Sequence, residues 1–311
     1  MTDDTIGIDI SKDTLHVHRL SDGATFQFSN CKSGFLDLTR WLAKTRIARI
    51  VYEPTGVYHR DFEMALGSRF PMVKVNPLQA RRFAQARGVR AKTDQVDARM
   101  LAVMGSSFAL SPQPLISQKQ RELKELQLLR LALIKDRTRH TNRSKSLLLA
   151  ISKRQAKMRL SLLKRQLEEI DAKIQQLLSK RHQTMRAREI LCSIPGLSKV
   201  SAAALLIEMP ELGTLTNKQT ASLAGLAPMV RQSGQWSGKA FIQGGRKNLR
   251  DALYMPALVA ARHNPDLKAK YDAFVTAGKP KKVALSALMQ KLIVLANTLI
   301  KQDRIWVEKE P

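Results

Sequence analysis

The sequence predicts an α/β domain at the N-terminus, then a helical linker and a mostly α-helical C-terminal half. Three observations carry this. Over the first hundred residues, short β-branched runs bounded by turn residues alternate with helical spacings. Between 117 and 183 glycine and proline vanish while Leu, Lys, Arg and Gln take over. Beyond 186, Ala/Leu-rich segments of helical character are punctuated by glycine loops. The boundaries that follow are 1–116, 117–185 and 186–311.

Taken in order, Thr5–Ile10, Leu15–Arg19 and Ala24–Phe28 read as strands, and Ser11-Lys12-Asp13-Thr14 joins the first two as a hairpin link. Phe35, Leu38, Trp41 and Leu42 recur at helical spacing within 34–44. A fourth strand closes on Glu53, and Pro54-Thr55-Gly56 breaks the chain before a helix from about Tyr58 to Gly67. Met72–Val75 is a fifth strand, and Pro77 opens a helix at its first turn, where a missing N–H costs nothing. Three antiparallel strands followed by alternating helices and strands is the order of a ribonuclease-H-like domain.

Within this domain four acids stand out. Asp9 ends the run Thr5-Ile6-Gly7-Ile8-Asp9-Ile10, and Glu53 ends Ala48-Arg49-Ile50-Val51-Tyr52-Glu53. Asp94 and Asp97 are three apart in a helical segment, so they share a face. Each alone has an ordinary structural use, as a turn cap, a helix N-terminal charge or a surface ion-pair partner. Brought together, four carboxylates repel unless cations sit between them. Oxygen ligands with no His or Cys nearby suit Mg²⁺ or Mn²⁺, and paired ions of that kind drive phosphodiester chemistry.

The chain has 311 residues, with 53 Lys and Arg against 26 Asp and Glu, a formal net charge of +27. An excess of this size points to a polyanionic partner, foremost nucleic acid. No apolar stretch is read as long enough to span a bilayer, so no membrane partner is expected. The acidic start Met1-Thr2-Asp3-Asp4 runs straight into a strand and is not a signal peptide. Cys31 and Cys192 occur in unrelated contexts and fit a reducing cytoplasm.

The basic residues cluster. Arg81, Arg82, Arg87, Arg90 and Lys92 lead into the Asp94/Asp97 helix as a phosphate guide. Between 130 and 165 twelve Lys and Arg, among them Arg137, Arg139, Arg143 and Lys145, face one acid, Asp136, which favours nucleic-acid contact over a merely solvated face. In the same linker Leu160, Leu163, Leu167, Ile170, Ile174 and Leu177 form an a/d seam, which predicts a coiled coil or a long helical hairpin. Further on, Leu191-Cys192-Ser193-Ile194-Pro195-Gly196-Leu197-Ser198 before an Ala/Leu-rich helix reads either as a helix-hairpin-helix or as a structural turn. The last helix, about Lys282–Lys301, is apolar along one face and is expected in the core.

Several of these segments together resemble one family. Gly7-Ile8-Asp9-Ile10-Ser11-Lys12, Glu53-Pro54-Thr55-Gly56 and Thr93-Asp94-Gln95-Val96-Asp97-Ala98 are similar to the acidic signatures of the DEDD transposases, the insertion-sequence group that includes Piv-type invertases and bridge-RNA-guided recombinases. Ile194-Pro195-Gly196, Ala224-Gly225-Leu226-Ala227-Pro228, Ser233-Gly234, and Gly245-Arg246-Lys247-Asn248-Leu249-Arg250 with Ala252-Leu253-Tyr254-Met255-Pro256-Ala257 are similar to its transposase domain. The likeness covers nearly the whole chain in order.

The resemblance implies a RuvC-like domain, a coiled coil and a C-terminal transposase domain. It implies two Mg²⁺ (or Mn²⁺) ions on Asp9, Glu53, Asp94 and Asp97, and Ser233 as a nucleophile that forms a covalent link to DNA. It further implies a structured noncoding guide (bridge) RNA that pairs with donor and target DNA, a homo-oligomer (dimer or tetramer), and action at the bacterial nucleoid. Arg246, Lys247 and Arg250 would then bind nucleic acid. Division of labour between base pairing and backbone binding suits a chain this basic.

A serine hydroxyl needs activation, and no His lies near Ser233 in sequence, so metal activation is the expectation, with Arg231 and Lys239 as phosphate clamps. Without the family likeness, Ser237 would be an equal rival. The enzymatic alternatives are a RuvC-like hydrolytic nuclease or junction resolvase, in which water attacks, and a Piv-like DNA invertase. A sugar-kinase or actin-like ATPase lacks the expected adenosine loop here and has the wrong charge. A nucleic-acid-binding protein without catalysis sits poorly with four retained acids.

Overall fold

The computed structural model describes residues 3–308 apart from 92, 109, 113 and 115. It divides into two compact units at Ile116/Ser117. The whole is a mixed α/β structure with a central sheet in the first unit and a helical second unit.

The first unit is built on β1 (Asp4–Ile10), β2 (Thr14–Arg19), β3 (Thr25–Ser29), β4 (Ile47–Tyr52) and β5 (Met72–Lys74), in the order β3-β2-β1-β4-β5. The pairs β1/β2 and β2/β3 are antiparallel, whereas β1/β4 and β4/β5 are parallel. The tight link after β1 is closed by its own side chains. The Thr14 N–H donates to Ser11 Oγ at 3.0 Å, and the Ser11 N–H donates to the Thr14 carbonyl at 2.9 Å.

Strand alternation sends Ile6, Ile8 and Ile10 to one face of the sheet. There they form a core with Phe35, Leu38 and Leu42 of α1 (Lys32–Leu42) and Phe62 and Leu66 of α2 (His59–Leu66). The opposite face, with Val51 and Val73, packs on Leu101 and Met104 of α4 (Asp94–Ser107), beside α3 (Pro77–Ala86). Thr5, Gly7 and Asp9 share that second face by the same alternation.

In the second unit α5 (Gln118–Ser144) and α6 (Ala150–Leu178) form a long helical hairpin. The predicted seam is its inner face: Leu163, Leu167, Ile170, Ile174 and Leu177 are buried, and Arg130 reaches across to Asp171, Nε to Oδ1 at 2.5 Å. Then come α7 (His182–Ser193), α8 (Lys199–Glu208), α9 (Asn217–Leu223), four two-residue strands, α10 (Lys247–His263), α11 (Pro265–Thr276) and α12 (Lys281–Lys301). The turn between α7 and α8 is shaped for internal packing. Gly196 has φ +108°, and a Cβ there would meet the Pro256 carbonyl of α10 at 2.7 Å.

The last helix lies in the core as expected, but the expectation that no stretch is long enough to span a bilayer needs correction. α12 is long and apolar enough to cross a bilayer by length and composition. Its Leu285, Leu288, Leu292, Ile293, Ala296 and Leu299 are instead the spine of the helical core, against Leu191, Leu205, Leu253 and Ala257. Core burial of this kind explains the composition.

Candidate functional site

Among the described residues, two places gather chemistry-bearing groups, one in each unit. The first lies at the C-terminal end of β1. Its geometry follows from two glycines. A Cβ on Gly7 would stand 2.0 Å from the Ala98 carbonyl oxygen and 2.4 Å from the Ala102 nitrogen, so helix and strand touch backbone to backbone. At Gly105 a Cβ would meet Val51 Cγ2 at 2.4 Å and Thr5 Cγ2 at 3.1 Å. α4 therefore runs antiparallel to β1. Strands rise about 3.3 Å and helices about 1.5 Å per residue. Two strand residues beyond Gly7, at Asp9, the facing helix has reached its first turn, which carries Asp94 and Asp97.

That first turn is fixed by local chemistry. Thr93 caps it, with Oγ1 accepting from the Val96 N–H at 3.3 Å, and the helix N-terminus favours the two carboxylates. At the other end, Arg49 Nη1 of β4 donates to the Gly105 carbonyl at 2.8 Å. Glu53 lies one residue beyond β4 and precedes Pro54, which biases it to extended backbone. Its neighbour Tyr52 is anchored: the hydroxyl donates to Glu63 Oε1 at 2.6 Å, and Lys74 Nζ pairs with the same carboxylate at 2.5 Å.

The acids feel one another. The Asp9 carboxyl is pushed up to about 6, first by burial and then by the charges of Asp94, Asp97 and Glu53. The four predicted acids thus converge on one end of the sheet, in a chain whose net charge is strongly positive. Among the described residues no three His, Cys, Asp or Glu side chains close into a ready-made metal cage. Asp94 is exposed at the rim, while Asp9, Glu53 and Asp97 are half-buried. Asp9, whose carboxyl holds its proton toward neutral pH beside three further carboxylates, belongs to a set of oxygen donors that fits a hard divalent cation.

The reading that no histidine lies nearby is overturned. His16 pairs with Asp9 across the β1/β2 ladder, its Nε2 is 3.3 Å from Asp94 Oδ2, and its charge lowers the Asp9 carboxyl. The signal was in the hairpin: a four-residue link from 11 to 14 sets Ile10 opposite Leu15 and hence Asp9 opposite His16.

The second place is a β-finger between α9 and α10. β6 (Pro228–Met229) pairs with β9 (Phe241–Ile242), and β7 (Gln232–Ser233) pairs with β8 (Trp236–Ser237). Gly234-Gln235 makes the two-residue turn, with Gly234 at φ +57°, the positive value such hairpins need at their first central residue. Ser233 opposes Trp236, and the Gly238 N–H donates to the Arg231 carbonyl at 2.9 Å. Arg231, Ser233, Trp236 and Gly238 therefore share one face, and Gln232 and Ser237 the other. The two serines differ accordingly. Ser237 Oγ accepts from Gln232 Nε2 at 3.2 Å, whereas Ser233 Oγ is exposed and makes no hydrogen bond among the described residues.

The predicted basic residues separate into two kinds. Arg81, Arg82, Arg87, Arg90, Arg137, Arg143, Lys145, Arg231 and Lys239 are exposed. Arg139 is exposed with only a 3.6 Å approach to Asp136, and Arg231 stacks 4.7 Å from the Phe241 ring centroid. Lys92 lies outside the described residues. Arg246, by contrast, binds Glu211 through both terminal nitrogens at 2.7 and 2.8 Å and also donates to the Glu208 carbonyl. Arg250 Nη1 donates to the Gly244 carbonyl at 2.8 Å, and Lys247 pairs with Asp251.

Comparison with known proteins gives the class of this strongly basic chain directly. Residues 6–153 match the DEDD transposase family of IS110, and residues 188–272 match the family described as transposase IS116/IS110/IS902. The chain belongs to this transposase family. More particularly, it is 31% identical to the pilin gene-inverting protein of Moraxella bovis, over 96% of each chain, and equally so to that of Moraxella lacunata. It is also 29% identical, over 39% of its length, to a protein of insertion element IS110 from Streptomyces coelicolor.

Proposed function

We propose that this transposase-family enzyme is an RNA-guided DNA recombinase that cleaves and rejoins strands through a phosphoserine link at Ser233, with a divalent-metal site on Asp9, Glu53, Asp94 and Asp97. The observation that carries the metal site is the convergence of these acids on one end of β1, with Asp9 raised to about 6. The strand order β3-β2-β1-β4-β5, antiparallel then parallel, supports a RuvC-like reading of residues 1–116. Residues 117–185 serve as the basic helical linker and 186–311 as the transposase domain.

Mg²⁺ (or Mn²⁺), as two ions, would supply charge neutralisation for a phosphodiester at the four acids. The protein's own part there is to fix the carboxylates: the Gly7 contact sets the height of α4, Thr93 caps its first turn, and Tyr52 and Pro54 hold Glu53. At the finger, Ser233 Oγ forms an ester to phosphorus while the bond to the leaving sugar oxygen breaks. The serine proton ends on that oxygen. The ester conserves the bond energy, so a second sugar hydroxyl can displace the serine and restore it. Arg231 and Lys239, both exposed, would bind the phosphate oxygens.

RNA guidance and oligomerisation rest on the family likeness and on the charge: exposed Arg137, Arg139, Arg143 and Lys145 on one end of the α5/α6 hairpin suit a phosphate backbone. The full-length likeness to pilin gene-inverting proteins favours a second reading of the net outcome, inversion of a DNA segment rather than movement of an element. Both use the same bond chemistry. Strand transfer measured on element-end DNA with Mg²⁺ and co-purified RNA tests the proposal. Asp97→Ala and Ser233→Ala should each abolish it. Substantial cutting by Ser233→Ala would instead mean that water attacks.

A further inference from the structure

The finger carries an aromatic side chain that the reaction as described leaves unused. Trp236 is 60% exposed, high for an indole that has a folded protein to pack against. It is the cross-strand partner of Ser233 on the same face of a hairpin, and such partners stand about 5.5 Å apart at Cα. Gly238 sets its pose. A Cβ there would meet the indole Cη2 at 2.5 Å and Cζ2 at 3.0 Å, so the ring lies over the bare glycine backbone. The inner face of the ring is thus supported and the outer face is open. On the same face Arg231 is exposed, its guanidinium stacked on Phe241, and Lys239, the residue after Gly238, is exposed as well. The other two tryptophans are packed, Trp41 against Phe26, Phe28 and Arg19 and Trp306 against the helical core.

We infer that Trp236 is a base-stacking platform that holds an unstacked nucleobase next to the phosphate presented to Ser233. An open aromatic surface backed by backbone, on a finger with exposed cations, is what single-stranded nucleic acid binds: the base stacks on the ring while the cations take the phosphates. The cationic setting selects nucleic acid over a second copy of this basic chain, whose own finger would bring the same charges. A base held there fixes the position of its own phosphate, which gives an exposed hydroxyl a defined target. The inference rests on the reading of this finger as the DNA-facing part of the enzyme.

The test uses the full-length protein and a dye-labelled oligothymidylate, with a duplex of equal length as comparison. Anisotropy reports affinity, and tryptophan emission reports stacking. Trp236→Ala should weaken single-strand binding about tenfold. Trp236→Phe should keep most of the affinity but lose the quenching of emission seen on binding, and both variants should melt like the wild type. Unchanged affinity in Trp236→Ala, with no quenching in the wild type, overturns the inference. So does unchanged affinity with lost self-association in sedimentation, which would make Trp236 a contact between copies. Covalent adduct formation separates the two claims. Quenching in the wild type without any adduct would sink only the serine reading, whereas adduct at the wild-type rate in Trp236→Ala, with no quenching in the wild type, would sink only this one.

Discussion

His16 and Asp94 meet at 3.3 Å, from a strand and a helix that share no neighbouring sequence, beside the carboxylate that His16 faces in the ladder. The imidazole is mostly covered, with 14% of its side chain exposed, while Asp94 is exposed. It is therefore the rigid partner and Asp94 the one it orients. Outer partners of metal-binding groups commonly change affinity by about 10- to 100-fold. His16→Ala should weaken Mn²⁺ binding, read by calorimetry, by about tenfold, and His16→Asn should recover part of it. Equal affinity in all three proteins would remove His16 from the site.

Asp9 gives a pH signature. Folded, it holds its proton up to about 6; unfolded, it releases it near 3.8. Between those values the folded state binds more protons, so this group's contribution makes stability fall as pH rises and stay flat above about 6. Glu211, lowered by its hydrogen bonds with Arg246, acts oppositely: its contribution is present above 4.5 and is lost as pH falls through its folded value. The readout is therefore a difference. In chelator, Asp9→Asn should melt higher than the wild type at pH 7 to 8 and converge with it toward pH 4. A constant offset would mean that Asp9 is not strained by its surroundings.

Gly7→Ala tests how the sheet places the acids. The added methyl meets backbone on two sides, at 2.0 and 2.4 Å, so either β1 or α4 must move. Overpacking with nowhere to relax costs about 3 kcal/mol. Thermal denaturation should show this loss, and any folded fraction should bind Mn²⁺ weakly, since Asp94 and Asp97 shift with the helix.

The basic residues should divide by what they touch. Arg246→Lys breaks a two-nitrogen grip on Glu211 and should cost about 2 kcal/mol of stability with little change in the salt dependence of DNA binding. Arg137→Ala and Arg143→Ala should leave melting unchanged and lower the salt slope by about 1 each. The reverse pattern would exchange their roles.

Much of this was legible in the chain. The strands around Asp9 and Glu53 follow from β-branched runs and turn residues, and the α6 seam from its spacing, because these signals are local. His16 was legible only through hairpin register, which has to be worked out pair by pair. The Arg246–Glu211 pair was not legible, since its members are 35 residues apart and only the packing of α8 against α10 joins them. The α12 helix shows the converse, where composition alone fits a membrane span and only tertiary packing assigns it to the core.

Covalent catalysis by Ser233 is the core of the proposed mechanism. Its most direct measurement is mass spectrometry of peptides from a protein–DNA adduct trapped in Mg²⁺ with element-end DNA and the co-purified RNA. We expect a nucleotide on the peptide containing Ser233, present in wild type and Ser237→Ala and missing in Ser233→Ala and Asp97→Ala. Metal-dependent cleavage with no modified peptide, or a modification that survives Ser233→Ala, would contradict it.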